Sequence, residues 1–570
     1  MSILENHIHE PKIAYFSMEI GLRDEIPTFS GGLGVLAGDT VKSAADLNLP
    51  FVAVTLISHK GYFRQEIDDS GQQREYPVDW DPSKLMKPAS EQVSVTIEGR
   101  VVIVKAWIYF VESPRGGSIP VIYLDTNHDK NSDEDKILTD QLYGGDASYR
   151  IKQEVVLGIG GVRMLKKLGF LIKKYHMNEG HAAFLTLELL HKFKKDIENV
   201  WDEEHIWDIE PVKDLCVFTT HTPVEAGHDK FTYELFNKVF GNFFPENIMK
   251  KLAGEKNVNM TLLGFNLSNF VNGVAKKHGE VSKSMFPGYQ INAITNGVHS
   301  YTWTSESMKK IFDKYLPGWA NEPEIFVRIG AIPDDEIWNA HLESKKKLIE
   351  YVNTVSNTDM DTDTLTIGFA RRATAYKRAD LLFTDLERLE RIGSGRIQVI
   401  YAGKAHPKDD EGKKLIKNIY SLREKLKGKI KLSFIENYNM EIALKLVSGV
   451  DIWLNTPLRP LEASGTSGMK AAHNGVMNFS VLDGWWIEGH IEGFTGWAIG
   501  PAPTELEPDK NMNKIDADDL YHKLETRIIP TYYDDRKCWI RMMQNAIGKN
   551  AYYFNTHRMM RRYVTEAYIR

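Results

Sequence analysis

Two cysteines, Cys216 and Cys538, among 570 residues exclude a disulfide framework and a cysteine-rich metal site. There is no basic excess either. Lys and Arg number 71 against 77 Asp and Glu, a net charge of -6, which argues against a dedicated nucleic-acid binder. The most apolar run, LPFVAVTLI at 49–57, falls far short of the ~20 residues a membrane helix needs. The opening MSILENHIHEPK lacks the basic-then-apolar pattern of a secretion signal. No internal repeat and no low-complexity tract is present. These absences predict a protein of a reducing, cytoplasmic compartment with neither nucleic acid nor membrane as partner.

Core-forming residues are plentiful, with 42% hydrophobic against 26% charged, so the chain can bury real cores. At about 150 residues per domain the length alone suggests three or four domains. Twelve Trp, 24 Tyr and 25 Phe suit carbohydrate stacking, although most such rings simply fill a core. Strand-like runs at 13–20, 51–58, 101–110, 119–126 and 215–221 alternate with helical stretches at 33–47, 150–168 and 182–195. The second half is more regular. Short apolar strands at 364–370, 397–403, 429–436, 450–456 and 476–482 are separated by helical segments near 378–391, 409–427, 440–448 and 466–474. That alternation predicts βαβ units and a doubly wound parallel sheet. A hinge is expected near ITNGVHSYTW (294–303), where Asn296-Gly297 marks a turn. At the C-terminus Met559, Tyr563 and Ala567 recur at i+4, as do Met560, Val564 and Tyr568, so this helix must dock on something.

Five segments carry candidate chemistry. SGGLGVLAGD (30–39) puts three glycines before a helix, where amides favour an anion, but without the GxGxxG spacing a plain turn explains it as well. GFARRATAYKRADL (368–381) gathers Arg371, Arg372, Lys377 and Arg378 after a strand, as two pairs of cations suited to two phosphates. PLEASGTSGMKAAHNGV (460–476) is the most informative. Its Gly-Thr-Ser-Gly turn opens a helix on which Lys470 sits one turn in, beside Met469, Ala471 and Ala472. A desolvated lysine there is neutral enough to condense with an aldehyde, and with a phosphate cradle beside it this is the chemistry of pyridoxal phosphate attachment. YHMNEGHAAF (175–184) and FTTHTPVEAGHDKF (218–231) mix His, Asn and Glu, which suits sugar hydroxyls; the HExxH metal spacing is absent. FIENYN (434–439) offers Tyr438 for stacking on a ring or for core packing.

Taken in chain order, with VNGVAKKHGEVSK (271–283) between them, these segments resemble the α-glucan phosphorylases of glycogen, starch and maltodextrin over nearly the whole chain. The resemblance implies a GT-B-type glycosyltransferase architecture, an α/β fold of two Rossmann-like doubly wound domains facing a cleft. It places an N-terminal domain at 1–295, a C-terminal domain at 296–545 and a helix at 546–570 that crosses back. The implied activity is reversible phosphorolysis of a terminal α-1,4-linked glucose to glucose 1-phosphate, with retention and with pyridoxal 5′-phosphate as cofactor. No pair of catalytic carboxylates is then required. A homodimer is also implied, and no metal.

Matched residue by residue, the resemblance makes Lys470 the cofactor lysine and puts Tyr438, Arg371, Thr466 and Gly465 around the cofactor. Arg372, Lys377 and the amide of Gly32, next to Leu33, face substrate phosphate. Glu462, Ser464, Asn296 and His221 face the sugar, with Glu179 at an acidic position of the family; Lys470, Arg372, Lys377 and His221 make up the catalytic set. Three departures stand out. Gly468 replaces an Asn, Arg371 replaces a Lys, and no extension precedes 13–20, so regulation by phosphorylation or nucleotide there is not expected. DGWWIEGHIEGFTGWAIG (483–500) marks a distinct short form. The rival readings are a nucleotide-sugar-dependent glucan synthase, a metal-dependent hydrolase built on the His/Glu segments, and a non-catalytic glucan binder.

Overall fold

The computed structural model describes residues 4–114, 116–195, 206–502 and 511–569. Two large sheets dominate it, of nine and six strands. The first comprises β1 (Lys12–Ser17), β2 (Phe51–Leu56), β3 (Lys87–Ile97), β4 (Arg100–Glu112), β5 (Ser118–Asp125), β6 (Ile172–Asn178), β7 (Cys216–Thr219), β8 (Phe270–Gly273) and β9 (Asn292–Ala293). Their spatial order is β9-β8-β7-β6-β1-β2-β5-β4-β3, parallel except at the β5-β4-β3 edge. The second sheet holds β10 (Leu365–Ala370), β11 (Ile397–Ala402), β12 (Lys431–Ile435), β13 (Ile452–Asn455), β14 (Met477–Val481) and β15 (Gly496–Ile499). It is wholly parallel in the order β12-β11-β10-β13-β14-β15, the doubly wound arrangement.

The ten strands read from periodicity all appear, within a few residues at each end. Periodicity does not mark β6, because its sequence IKKYHMN is rich in polar residues. The strand is nevertheless buried from Lys174 onward, since β1 and β7 flank it. The helix expected over 378–391 shortens to Leu386–Gly393, preceded by two 3-10 turns at Ala375–Lys377 and Leu381–Phe383. Those turns let the basic segment lie across the strand ends instead of coiling away from them.

Each sheet is covered on both faces. One face of the first sheet packs under Ile151, Val155, Leu165, Leu187 and Leu190. Its other face receives the glycine-loop helix Gly32–Asp46 through Leu36, Ala37 and Val41, together with Met559, Met560, Tyr563, Ala567 and Tyr568 of the C-terminal helix. That is the docking surface its i+4 pattern demands. Ile547 and Ala551, only a few residues earlier, belong to a core of the second sheet, so the tail passes from one lobe to the other. Among the described residues no helix is long and apolar enough to cross a membrane.

At the end of the second sheet away from the cleft, Lys345 lies 2.6 Å from Asp451, both fully buried, and His341 approaches the same carboxylate at 2.9 Å. Removing one partner leaves the other charged and desolvated. Lys345→Ala is therefore expected to lower unfolding stability by about 3–5 kcal/mol in a denaturant titration.

Candidate functional site

The carboxyl ends of both sheets face each other, which is where doubly wound folds take ligands. Glu19 follows β1, Glu179 follows β6 and His221 follows β7. Opposite them Arg371 follows β10, Tyr438 lies beyond β12, and residues 456–465 follow β13.

The glycine loop is held by Glu19, whose carboxylate accepts the amides of Ser30 (2.6 Å) and Gly31 (3.3 Å) and the Tyr143 hydroxyl (2.9 Å). The helix then packs so closely on 19–22 that a Cβ on Gly38 would strike the Gly21 carbonyl. Gly32 has open space around it, and a Cβ on Gly31 would stand 3.3 Å from the Arg372 guanidinium. Arg372 reaches across from the other lobe, exposed, with no ion pair or hydrogen bond among the described residues.

The remaining cations are committed. Arg371 and Lys377 both grip Glu462 Oε2, at 2.7 and 2.5 Å, and all three side chains are at most 10% exposed. Burial alone would push the Glu462 carboxyl up, but Arg371 and Lys377 hold it down at about 2. Arg371 also bonds Asn455 Oδ1. Arg378 does not join the phosphate-facing set. Its guanidinium is bound by the carbonyls of Thr456 and Pro457, by Asn513, and by Asp516 at 2.6 Å. In a left-handed conformation, it turns away from the cleft and pins the loop after β13.

Gly465, at φ 84°, caps the helix Thr466–Ala472, and Lys470 lies within it, 7% exposed. Its Nζ sits 3.8 Å over the face of Trp303, with no carboxylate in ion-pair contact among the described residues. Burial depresses this amine to about 8, a shift that Asp39 opposes and Lys42 assists. Trp303 in turn donates its indole N–H to Asp39 (2.8 Å), which also accepts the His299 amide (3.1 Å). Thus Asp39, on the glycine-loop helix, supports the platform beneath a lysine of the other lobe. Tyr438 is half-buried near Arg371, and burial raises its hydroxyl while that cation opposes the rise. Ser464 Oγ and Asn296 Oδ1 are buried and lack hydrogen-bond partners among the described residues. At Gly468 a Cβ would collide with Asn478 Oδ1, and Asn478 donates to the Gly468 carbonyl (3.0 Å). The side chain that glycine lacks would have no room there.

Glu179 and His221 form a second group, at the ends of β6 and β7. Glu179 accepts the His221 amide (2.7 Å) and the Thr222 hydroxyl (3.0 Å), and burial raises its carboxyl. His221 Nε2 meets Asn178 Oδ1 at 2.6 Å, and burial lowers the imidazole to about 3, so it is neutral. No hydrogen bond or ion pair joins this group to the Glu462 cluster among the described residues. His176 contacts the Tyr568 and Thr219 hydroxyls, and His228 contacts Thr261. Among the described residues no three His, Cys, Asp or Glu converge on a point that would hold a metal. Asn296 is fixed from the tail, since Arg558 donates to the carbonyls of Thr295 (2.6 Å) and Asn296 (2.9 Å).

A cavity of about 510 Å³ opens between the lobes, walled by Tyr62, Tyr76, Tyr143, His406 and Lys408. Burial pushes the Tyr62 hydroxyl up to about 12 against the charge of Arg372, which also acts on Tyr143 and His406 of the same cavity. One wall is a hairpin, Arg64–Ile67 with Gln73–Tyr76, bridged to the second lobe by Gln65 on Gly403 (2.9 Å) and Gln73 on Ala405 (3.0 Å). Short polar strands of this kind give no apolar alternation, so the sequence conceals it. Glu19, Asp39 and Trp303 are likewise missed by motif reading. For Glu19 and Asp39 the signal is an acidic residue in an otherwise apolar stretch.

The family model described as carbohydrate phosphorylase matches residues 246–492. A maltodextrin phosphorylase of Thermococcus litoralis is 40% identical over 98% of this chain and 70% of its own length. A glycogen phosphorylase of Aquifex aeolicus is 34% identical over 98% of this chain and 86% of its own, and one of Mycobacterium tuberculosis is 34% identical over 98% and 70%.

Proposed function

This chain belongs to the carbohydrate phosphorylase family, and we propose on that footing that it is an α-glucan phosphorylase. It would convert the terminal α-1,4-linked glucose of a maltodextrin or glycogen chain, plus phosphate, reversibly into glucose 1-phosphate with retention, using pyridoxal 5′-phosphate. The observation that carries this reading is the meeting of a desolvated, carboxylate-free Lys470 with the Arg371–Lys377–Glu462 cluster in one cleft.

The residues fit the cofactor. Lys470 is depressed enough to lose its proton near neutrality, and the capped helix start at Gly465–Thr466 presents amides to an anion. When bound, pyridoxal phosphate supplies an ionisable phosphate beside that of the substrate. Lys470 would hold it, with Tyr438 against its ring and Arg371 and Thr466 at its phosphate. Arg372 and the Gly32 amide, next to Leu33, would face the substrate phosphate from opposite lobes. Lys377 would exchange part of its contact with Glu462 for that phosphate. Clustered cations hold two phosphates together, which would otherwise repel strongly in a dry site. Glu462, the free Ser464 hydroxyl and the free Asn296 oxygen would bind glucose hydroxyls. Neutral His221, positioned by Asn178 and Glu179, would contact the same sugar. The aromatic cavity beside Arg372 gives the remaining glucan a channel, and the closed cleft excludes water so that phosphate is the acceptor. The chain divides in this reading at 295/296, with 546–570 returning to the first lobe.

Incubation with maltodextrin is expected to release glucose 1-phosphate only when phosphate is present. Borohydride treatment after mild acid should fix a pyridoxyl group on Lys470, seen by peptide mass. Product without phosphate, or activity lost to a chelator and restored by zinc, would overturn the reading.

A further inference from the structure

The segment DGWWIEG, which the function above leaves unused, lies directly beneath the sugar-facing turn. Asp483 Oδ2 accepts the Glu462 amide at 2.8 Å, and its Oδ1 accepts the Gly484 amide at 2.9 Å. Trp485 donates its own amide to the Ser464 carbonyl at 2.9 Å. The two backbones run so close that a Cβ on Gly484, at φ 54°, would lie 2.5 Å from that carbonyl. Three residues further on, Glu488 accepts the Thr295 hydroxyl at 3.0 and 2.9 Å and the Lys276 amide at 3.0 Å. One short segment therefore grips the turn carrying Glu462 and Ser464 and the hinge carrying Asn296.

We infer that residues 483–488 are a positioning element for glucan binding, in which the Asp483 carboxylate fixes the backbone of the Glu462–Ser464 turn. This rests on the reading of Glu462 and Ser464 as sugar contacts. Asp483 does not touch substrate in this account; it acts through the Glu462 amide. Both of its oxygens accept N–H groups, so the ionised form is the one that matches the turn. A proton on either oxygen turns an acceptor toward being a donor and sets it against an N–H. Burial raises this carboxyl to about 7, the Glu462 charge adds to the rise, and the two amides and Arg459 oppose it. The turn is consequently ordered above that pH and loosened below it.

The test uses a neutral ligand, so that no substrate phosphate titrates. The dissociation constant of maltopentaose is measured calorimetrically on the holoenzyme between pH 5.5 and 8.5. If only the ionised form binds, affinity is about tenfold weaker at pH 6 than at pH 8, following the population of the competent form. Asp483→Asn is expected to bind more weakly at pH 8 and to lose most of that pH dependence. A flat profile in the unaltered protein overturns the inference whether or not the variant folds, and so does a slope that survives in Asp483→Asn. Glu462→Gln separates the two ideas. If it binds maltopentaose as well as the unaltered protein does, the placement of the sugar fails. If it abolishes binding while the Asp483 results are negative, only the positioning role fails.

Discussion

Lys470→Met is expected to yield a protein with no near-UV pyridoxal band, phosphorolysis reduced by more than about 10⁴-fold, and an apo form more stable than its parent. The first two outcomes follow from the loss of the amine proposed to hold the cofactor; groups that act as a unit are lost together. The third follows from the sign of the shift. The Lys470 amine falls from an ordinary 10.5 to about 8 because burial disfavours its charge. Below pH 8 the folded apo protein carries that desolvated charge in full, and the penalty fades as pH rises through the interval to 10.5. At pH 7 the shift corresponds to about 3 kcal/mol, which a methionine of similar length removes while keeping its packing against Trp303. Denaturant melts of the two apo proteins at pH 7 and pH 10 check this. The gap between them should narrow at the higher pH, and a Lys470→Met protein less stable at both would contradict the account.

Arg372→Ala and Lys377→Ala are expected to cost similar activity and very different stability. Removing one preorganised charge from an anion site raises the barrier by about 3–4 kcal/mol, or roughly 10²–10³-fold in kcat. Arg372 is exposed and has no partner among the described residues, so its loss should leave the melting temperature nearly unchanged while weakening phosphate binding. Lys377 is buried against Glu462 at 2.5 Å. Its removal leaves Glu462 with Arg371 alone, so the carboxyl climbs from about 2 and the turn loosens. The Lys377→Ala melt should shift downward, most strongly at neutral pH where Glu462 is charged in both states. Pyridoxal content should stay near full occupancy in both variants. Steady-state kinetics with phosphate varied, together with thermal melts, tests the contrast. An Arg372→Ala enzyme with unchanged phosphate dependence would remove that residue from the site.

The second sheet was legible because a parallel strand buried on both faces reads as an unbroken apolar run, as LTIGFA and IQVIYA do. The turn before Lys470 was legible because Gly465 and the residues after it have few other uses. What stayed hidden depends on long-range contacts. IKKYHMN gives no strand signal, yet β1 and β7 enforce one. The role of Asp39 needs Trp303, which lies 264 positions away in the sequence. Arg378 looked equivalent to Arg372 by spacing, and only the left-handed turn that delivers it to Asp516 separates them. Spacing reports which residues are near in the chain, while partner choice is decided by which lobe faces them.

The C-terminal helix bears on the order in which the chain is made. Tyr563 bonds Asn272 and Tyr568 meets His176, so residues beyond position 560 complete the face of a sheet whose strands were all translated before residue 300. Until about the 568th residue leaves the ribosome, the face that holds Ile13, Tyr15 and Val217 has only the helix Gly32–Asp46 to cover it. The first lobe must wait through the making of the second, with part of its apolar face open to other chains for that interval, and a nascent chain halted short of residues 559–568 leaves it so.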